Sequence, residues 1–125
     1  GALVVTSVKA MDRLKYEITF SAAVRLCKIK PDYPKPFFDL VCIFDKLLFF
    51  QICSDEMAGA IRSEEYYDMF DSSESDASIE EIIDSDLVLM NDNKRGFHGL
   101  RHIYITAYDN IVEVVCTDFQ IQLPL

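Results

Sequence analysis

A chain of 125 residues, half of them apolar, is long enough for one domain with its own core and needs neither disulfides nor a structural metal to hold it together. No apolar run approaches the roughly 18 to 20 residues of a membrane-spanning helix, and Gly1-Ala2-Leu3-Val4-Val5 lacks the basic flank of a signal peptide. An intracellular protein of nucleus or cytoplasm, with no membrane partner, is expected. The net charge of −9 is unevenly spread: residues 1–53 carry eight basic and five acidic side chains, residues 54–92 one and thirteen, and residues 93–125 three of each. The acidity therefore belongs to a central segment, where it bears on partner choice rather than on fold.

Leu3 to Ala10 is rich in β-formers and predicts a short strand, with Asp12-Arg13 near the following turn. From Tyr16 to Leu26 the alternation is strict: Tyr16, Ile18, Phe20, Ala22, Val24 and Leu26 share one face. That predicts a long strand, and the small pair Ala22-Ala23 permits a bend through which it would serve two sheets. Pro31, Pro34 and Pro36 then impose a stiff loop. The apolar runs Phe38–Phe44 and Leu47–Cys53, separated by Asp45-Lys46, read as a tight hairpin that is apolar on both faces. Such strands need cover on both sides, from the domain itself or from a partner chain. Val41, Ile43, Phe44 and Phe49 are accordingly the protein-interaction candidates.

Ser54 to Phe70 reads as helical at its start, with Ser54 as N-cap. Asp71 to Asp76 is a polar, low-complexity run expected to be mobile. Ser78-Ile79-Glu80-Glu81 fits a capping box that opens a short helix. A single domain, 1–125, thus carries a mobile acidic insertion around 71–86. Ser73 and Ser78, each with an acid three residues on, are phosphorylation candidates. Leu87 to Met90 reads as a brief strand, Asn91 to Gly96 as a turn and Leu100 to Tyr108 as a strand. After a turn at Asp109-Asn110, Ile111 to Leu123 forms the last strand, whose apolar phase shifts near Thr117-Asp118 as a bulge would require.

The fold class is mostly β: a small antiparallel barrel in the order long bent strand, hairpin, helical and acidic segment, hairpin. This order is similar to that of the OB-fold, and a β-sandwich is the alternative.

Cys27, Cys42, Cys53 and Cys116 lie in apolar stretches without a C-x-x-C pair, which indicates buried free thiols in a reducing compartment. His98 and His102 stand four apart on an extended chain, roughly 13 Å, too far for one metal ion. No metal and no cofactor are expected. The sequence holds no G-x-S-x-G turn and no glycine-rich phosphate loop, and its acids lie in a solvated, serine-rich context, so no catalytic residue is assigned. The chain is expected to be a non-catalytic protein–protein interaction domain, a subunit or scaffold in an intracellular assembly whose partner is another protein chain. Fold analogy leans towards nuclear complexes. The second reading is single-stranded nucleic-acid binding by an OB-like domain, through Lys28, Lys30, Tyr33, Lys35 and Phe37 of the proline loop and Lys46 of the 38–53 hairpin. The acidity of the chain opposes it.

Overall fold

The computed structural model describes residues 2–54, 65–67, 69–70 and 77–125. Among these, seven strands form one antiparallel sheet: β1 Leu3–Asp12, β2 Lys15–Ala23, β3 Phe37–Cys53, β4 Glu65–Tyr67, β5 Ser78–Glu81, β6 Arg101–Ala107 and β7 Asn110–Gln122. Their order is β1-β2-β3-β7-β6-β5-β4. A 3₁₀ turn at Val24–Leu26 and a six-residue helix, α1 Asp86–Asn91, are the helical parts. The chain is mostly β, as its alternation implied.

The hairpin expected across Phe38–Cys53 does not form; β3 is one continuous strand of 17 residues. A two-residue hairpin turn of the favoured type needs positive φ at both central residues, or glycine at the first. Here only Lys46 has it, at 55°, so the chain kinks instead of reversing. The Lys46 amide donates to Asp45 Oδ1 at 2.8 Å, and Asp45 stays in the ladder between Lys15 and Asp118.

The kink changes which residues face the core. Phe38, Leu40, Cys42 and Phe44 point inward before it, and Leu47, Phe50 and Ile52 after it. On β7 the inward set is Val112, Val114 and Cys116, then Phe119 and Ile121. The phase shift read at Thr117-Asp118 is present, but no residue is skipped there, because Phe44 still pairs with Phe119 and Leu47 with Cys116. Both strands turn together. The bulge itself lies in β3, between Leu47 and Phe49.

This two-strand ribbon is a corner, a place where strands pass from one packed layer to the next. Up to Asp45, β3 pairs with β2, and beyond the corner it has left β2 behind; β7 pairs with β6 only as far as Cys116. The two halves of the sheet share one core, Ile18, Phe20 and Leu40 meeting Ile79, Ile103 and Ile105 in a single buried cluster. Edge strand β1 approaches the β6–β7 turn, where the Tyr108 amide donates to the Leu3 carbonyl at 2.7 Å, yet no ladder joins β1 to that half of the sheet. The strand that serves both halves is therefore β3, in company with β7, and not Tyr16–Leu26. The regular part of that segment ends at Ala23.

Two further expectations are corrected. Ser78 opens strand β5 rather than a helix: Ile79 is fully buried opposite Ile105, and that burial outweighs the local capping pattern. Leu87–Met90 is helical, because Ser85 caps α1 with its hydroxyl accepting from the Val88 amide at 3.1 Å. The start of the helix expected from Ser54 and the polar run Asp71–Asp76 lie outside the described residues, whereas Glu65–Tyr67 is strand β4 and Ser78–Glu81 of the expected insertion belongs to the sheet.

Candidate functional site: a basic cleft beside the proline loop

Ala23, the last residue of β2, pairs with Phe37, the first of β3. Residues 24–36 are therefore an excursion of the chain with both ends fastened to each other. Four backbone bonds hold its course: the Val24 amide donates to the Pro36 carbonyl at 2.9 Å, the Cys27 amide to the Val24 carbonyl at 3.2 Å, the Tyr33 amide to the Lys30 carbonyl at 3.1 Å and the Lys28 amide to the Met69 carbonyl at 2.8 Å. Leu26 and Cys27 are buried, and the Tyr33 ring packs on Phe38 with centroids 5.7 Å apart. Prolines fix φ at three of the positions between.

Between the 3₁₀ turn and this loop lies an open cleft of about 740 Å³. Its apolar walls come from Val4, Val24, Pro31 and Pro36, and Phe37 stands at its side with 54% of its surface exposed. Two cations, Arg25 and Lys35, line it and no acid does. Among the described residues neither has a hydrogen bond or ion pair, in contrast to Arg101, which grips Glu81 at 2.6 Å. The Val24–Pro36 bond joins their immediate neighbours, so it holds the backbone at both cations together beside the cleft. Residues 24–37 carry Arg25, Lys28, Lys30 and Lys35 against Asp32, a net +3 within a chain of −9.

Cys27 contributes to the cleft, and burial pushes its thiol up to about 11. At neutral pH it is a protonated, weakly polar group rather than a nucleophile. Cys42 and Cys116 are pushed up to about 12, in both cases chiefly by burial. His102 is buried on β6, where its Nε2 meets Glu113 Oε2 at 2.7 Å and its Nδ1 has no partner. Burial first, and then the charge of Glu113, raise the phenol of nearby Tyr104 above its ordinary value. His98 is exposed and bonded to Asn93, far from this pair in role as well as in burial. Among the described residues no three His, Cys, Asp or Glu side chains gather as a metal site.

The sequence candidates separate. Phe44 has no exposed surface and stacks on Phe119 at 5.1 Å, so it belongs to the core. Val41 and Ile43 are half-buried on the outer face, but their ladder neighbours Thr19, Gln122, Glu17 and Gln120 make that face mixed rather than apolar. Phe49 is half-buried beside Val115, whose ladder partner on β6 is His102. Of the second group, Lys35 and Phe37 line the cleft; Lys28 and Lys30 lie in the same loop, Tyr33 is turned against Phe38, and Lys46 sits at the corner. Ser78 is half-buried opposite Thr106, and Ser73 lies outside the described residues.

Sequence reasoning missed Arg25, Pro31 and Pro36 as parts of one site. Alternation placed Arg25 on a strand, but the chain leaves the sheet at Ala23. The available signal was the local excess of positive charge. A smaller hollow of about 260 Å³ at the corner has Lys15, Asp45, Asp118 and Arg101 in its wall, where opposite charges offset one another.

No family model, curated protein or solved structure matches this chain. Among the described residues no helix is long and apolar enough to cross a membrane.

Proposed function

We propose that this chain is a non-catalytic protein-binding module, a subunit or scaffold of a larger intracellular assembly, and that the cleft beside the proline loop is its recognition surface. One observation carries the reading: an open apolar cleft with an exposed phenylalanine and two cations that have no partner among the described residues, on a chain whose net charge is −9. A buried Phe–Tyr contact and proline-stiffened walls mean that the cleft loses little freedom on binding, which favours affinity. The neutral thiol of Cys27 and the burial of His102 against Glu113 support a binding role over a catalytic one. The approach of Leu3 and Tyr108 supports a barrel-like, OB-like wrapping of the sheet.

The test is selection of a random dodecapeptide display library on the intact domain and on Phe37→Ser. Phe37 is more than half exposed, so the substitution leaves the fold in place. Peptides enriched on the domain should be lost on Phe37→Ser. Equal enrichment on both, or none above background, overturns the reading.

A further inference from the structure

We infer that the occupant of this cleft is an acidic, extended peptide segment that presents one aliphatic or aromatic side chain between carboxylates. The inference rests on the protein-binding reading above and names the chemistry of the partner. The apolar side chain fits against Val24, Pro31 and Phe37, where the cleft is open and lined by hydrocarbon. Carboxylates beside it meet Arg25 and Lys35, which both line the cleft and whose backbone positions the Val24–Pro36 bond holds together. Arg25 can take a carboxylate in a two-bond fork, whereas Lys35 acts as a point charge.

Backbone pairing contributes little. The walls include Pro31 and Pro36, which have no amide hydrogen, and the Pro36 carbonyl is already taken by Val24. Recognition must therefore run through side chains, and charge complementarity selects the acidic partner.

A single-stranded nucleic acid is the competing occupant, and the aromatic inventory speaks against it. Sequence-tolerant strand binding stacks successive bases on successive exposed rings along a basic track. Of Tyr33, Phe37, Phe44 and Phe49, only Phe37 is exposed; Tyr33 is packed on Phe38 and Phe44 is in the core. A phosphate polymer long enough to gain by counterion release would also have to leave this short +3 segment for strands β1, β2 and β3 and the β1–β2 turn, whose charges together balance to zero. A short peptide need not.

The experiment uses fluorescence anisotropy with the intact domain and three labelled probes: the nonapeptide Gly-Glu-Glu-Asp-Leu-Glu-Asp-Glu-Gly, its isosteric counterpart with Gln and Asn for Glu and Asp, and a thymidine dodecanucleotide. The acidic peptide should bind about tenfold tighter than the amide peptide, since each exposed ion pair adds a few-fold, and raising salt to about 0.5 M should remove most of the difference. Lys35→Glu and Arg25→Glu should each weaken the acidic peptide by about tenfold, with Lys35→Arg retaining binding. Melting curves of the variants should superimpose on that of the parent domain, because Arg25 and Lys35 are exposed. Equal binding of the acidic and amide peptides overturns the inference and leaves the protein-binding reading standing. So does failure of both peptides when display on the same domain yields Phe37-dependent sequences. Tighter binding of the oligonucleotide, lost in the same two charge reversals, overturns inference and reading together.

Discussion

Truncating β3 one residue at a time across the corner is the most direct way to test the fold on which the cleft depends. An unbroken strand would alternate, so that Phe44, Lys46 and Leu48 shared the inner face. In the structure the inner residues are Phe44 and then Leu47, with Lys46 exposed and Leu48 half-buried. Phe44→Ala removes a fully buried ring that stacks on Phe119 at 5.1 Å and meets Phe50 edge-on at 6.4 Å. Large-to-small changes of this kind cost about 3–5 kcal/mol for Phe and about 2–5 kcal/mol for Leu. With 125 residues the unfolding entropy near the midpoint is about 0.26 kcal/mol/K, so each kcal/mol corresponds to about 4 °C in Tm. Phe44→Ala should lower Tm by about 11–19 °C and Leu47→Ala by about 8–19 °C. Lys46→Ala should change it by about 2 °C or less and Leu48→Ala by about 4 °C. Calorimetry at fixed pH reads all four. If Leu48→Ala costs as much as Leu47→Ala, the strand keeps its phase through Lys46 and the corner is wrong.

The left-handed φ of Lys46 predicts that Lys46→Gly stabilises the domain by about 0.5–1 kcal/mol, since glycine escapes the steric cost of that conformation at a smaller entropic one. Lys46→Val should destabilise it, and urea midpoints that move the other way would contradict the kink. The three raised thiols fix a pH dependence: a folded state that holds its protons to about 11–12 binds more protons than the unfolded chain above pH 9. Their contribution is fully present below about pH 9 and is lost as pH rises towards 12. Cys42→Ala and Cys116→Ala should therefore flatten the decline between pH 9 and 11. At neutral pH a thiol reagent should modify half-exposed Cys53 before the other three, as mass spectrometry of the native protein would show.

The strands β2 and β6 were legible because each pairs on both sides and keeps its aliphatic residues on the core face, even though His102 and Tyr104 on the other face of β6 are buried as well. Tyr16 to Ala23 and Ile103 to Ala107 alternate for that reason. β3 was not legible as one strand. Its apolar residues change faces at the corner, which looks in sequence like two strands joined by a turn, and a hairpin differs from a kink only by the sign of φ at one further residue. Asp45-Lys46, with no glycine, contains no clear vote between them. At Ser78 the capping pattern and the strand pattern coexist, and the burial of Ile79 against Ile105 decides, which is a tertiary fact that local pattern does not contain.

The cleft follows from the same layout. Because Ala23 and Phe37 are ladder partners, the thirteen residues between them leave the sheet and return to the same place, and the sheet does not depend on most of what they are. Leu26 and Cys27 anchor the excursion in the core, and Tyr33 ties its middle to Phe38. Val24 and Ile29 pack against the core as well, and most of the other positions face water, where selection for stability alone has little to act on. Yet three of them are prolines, which stiffen the walls, and four are cations in a chain that is otherwise strongly acidic. Phe38 and Phe37 show the division in adjacent residues: the first is 3% exposed and holds the loop to the core, the second is 54% exposed and faces the cleft. Closure of the loop does not require the second ring or the charges beside it, and these are the groups that the proposed binding role would use.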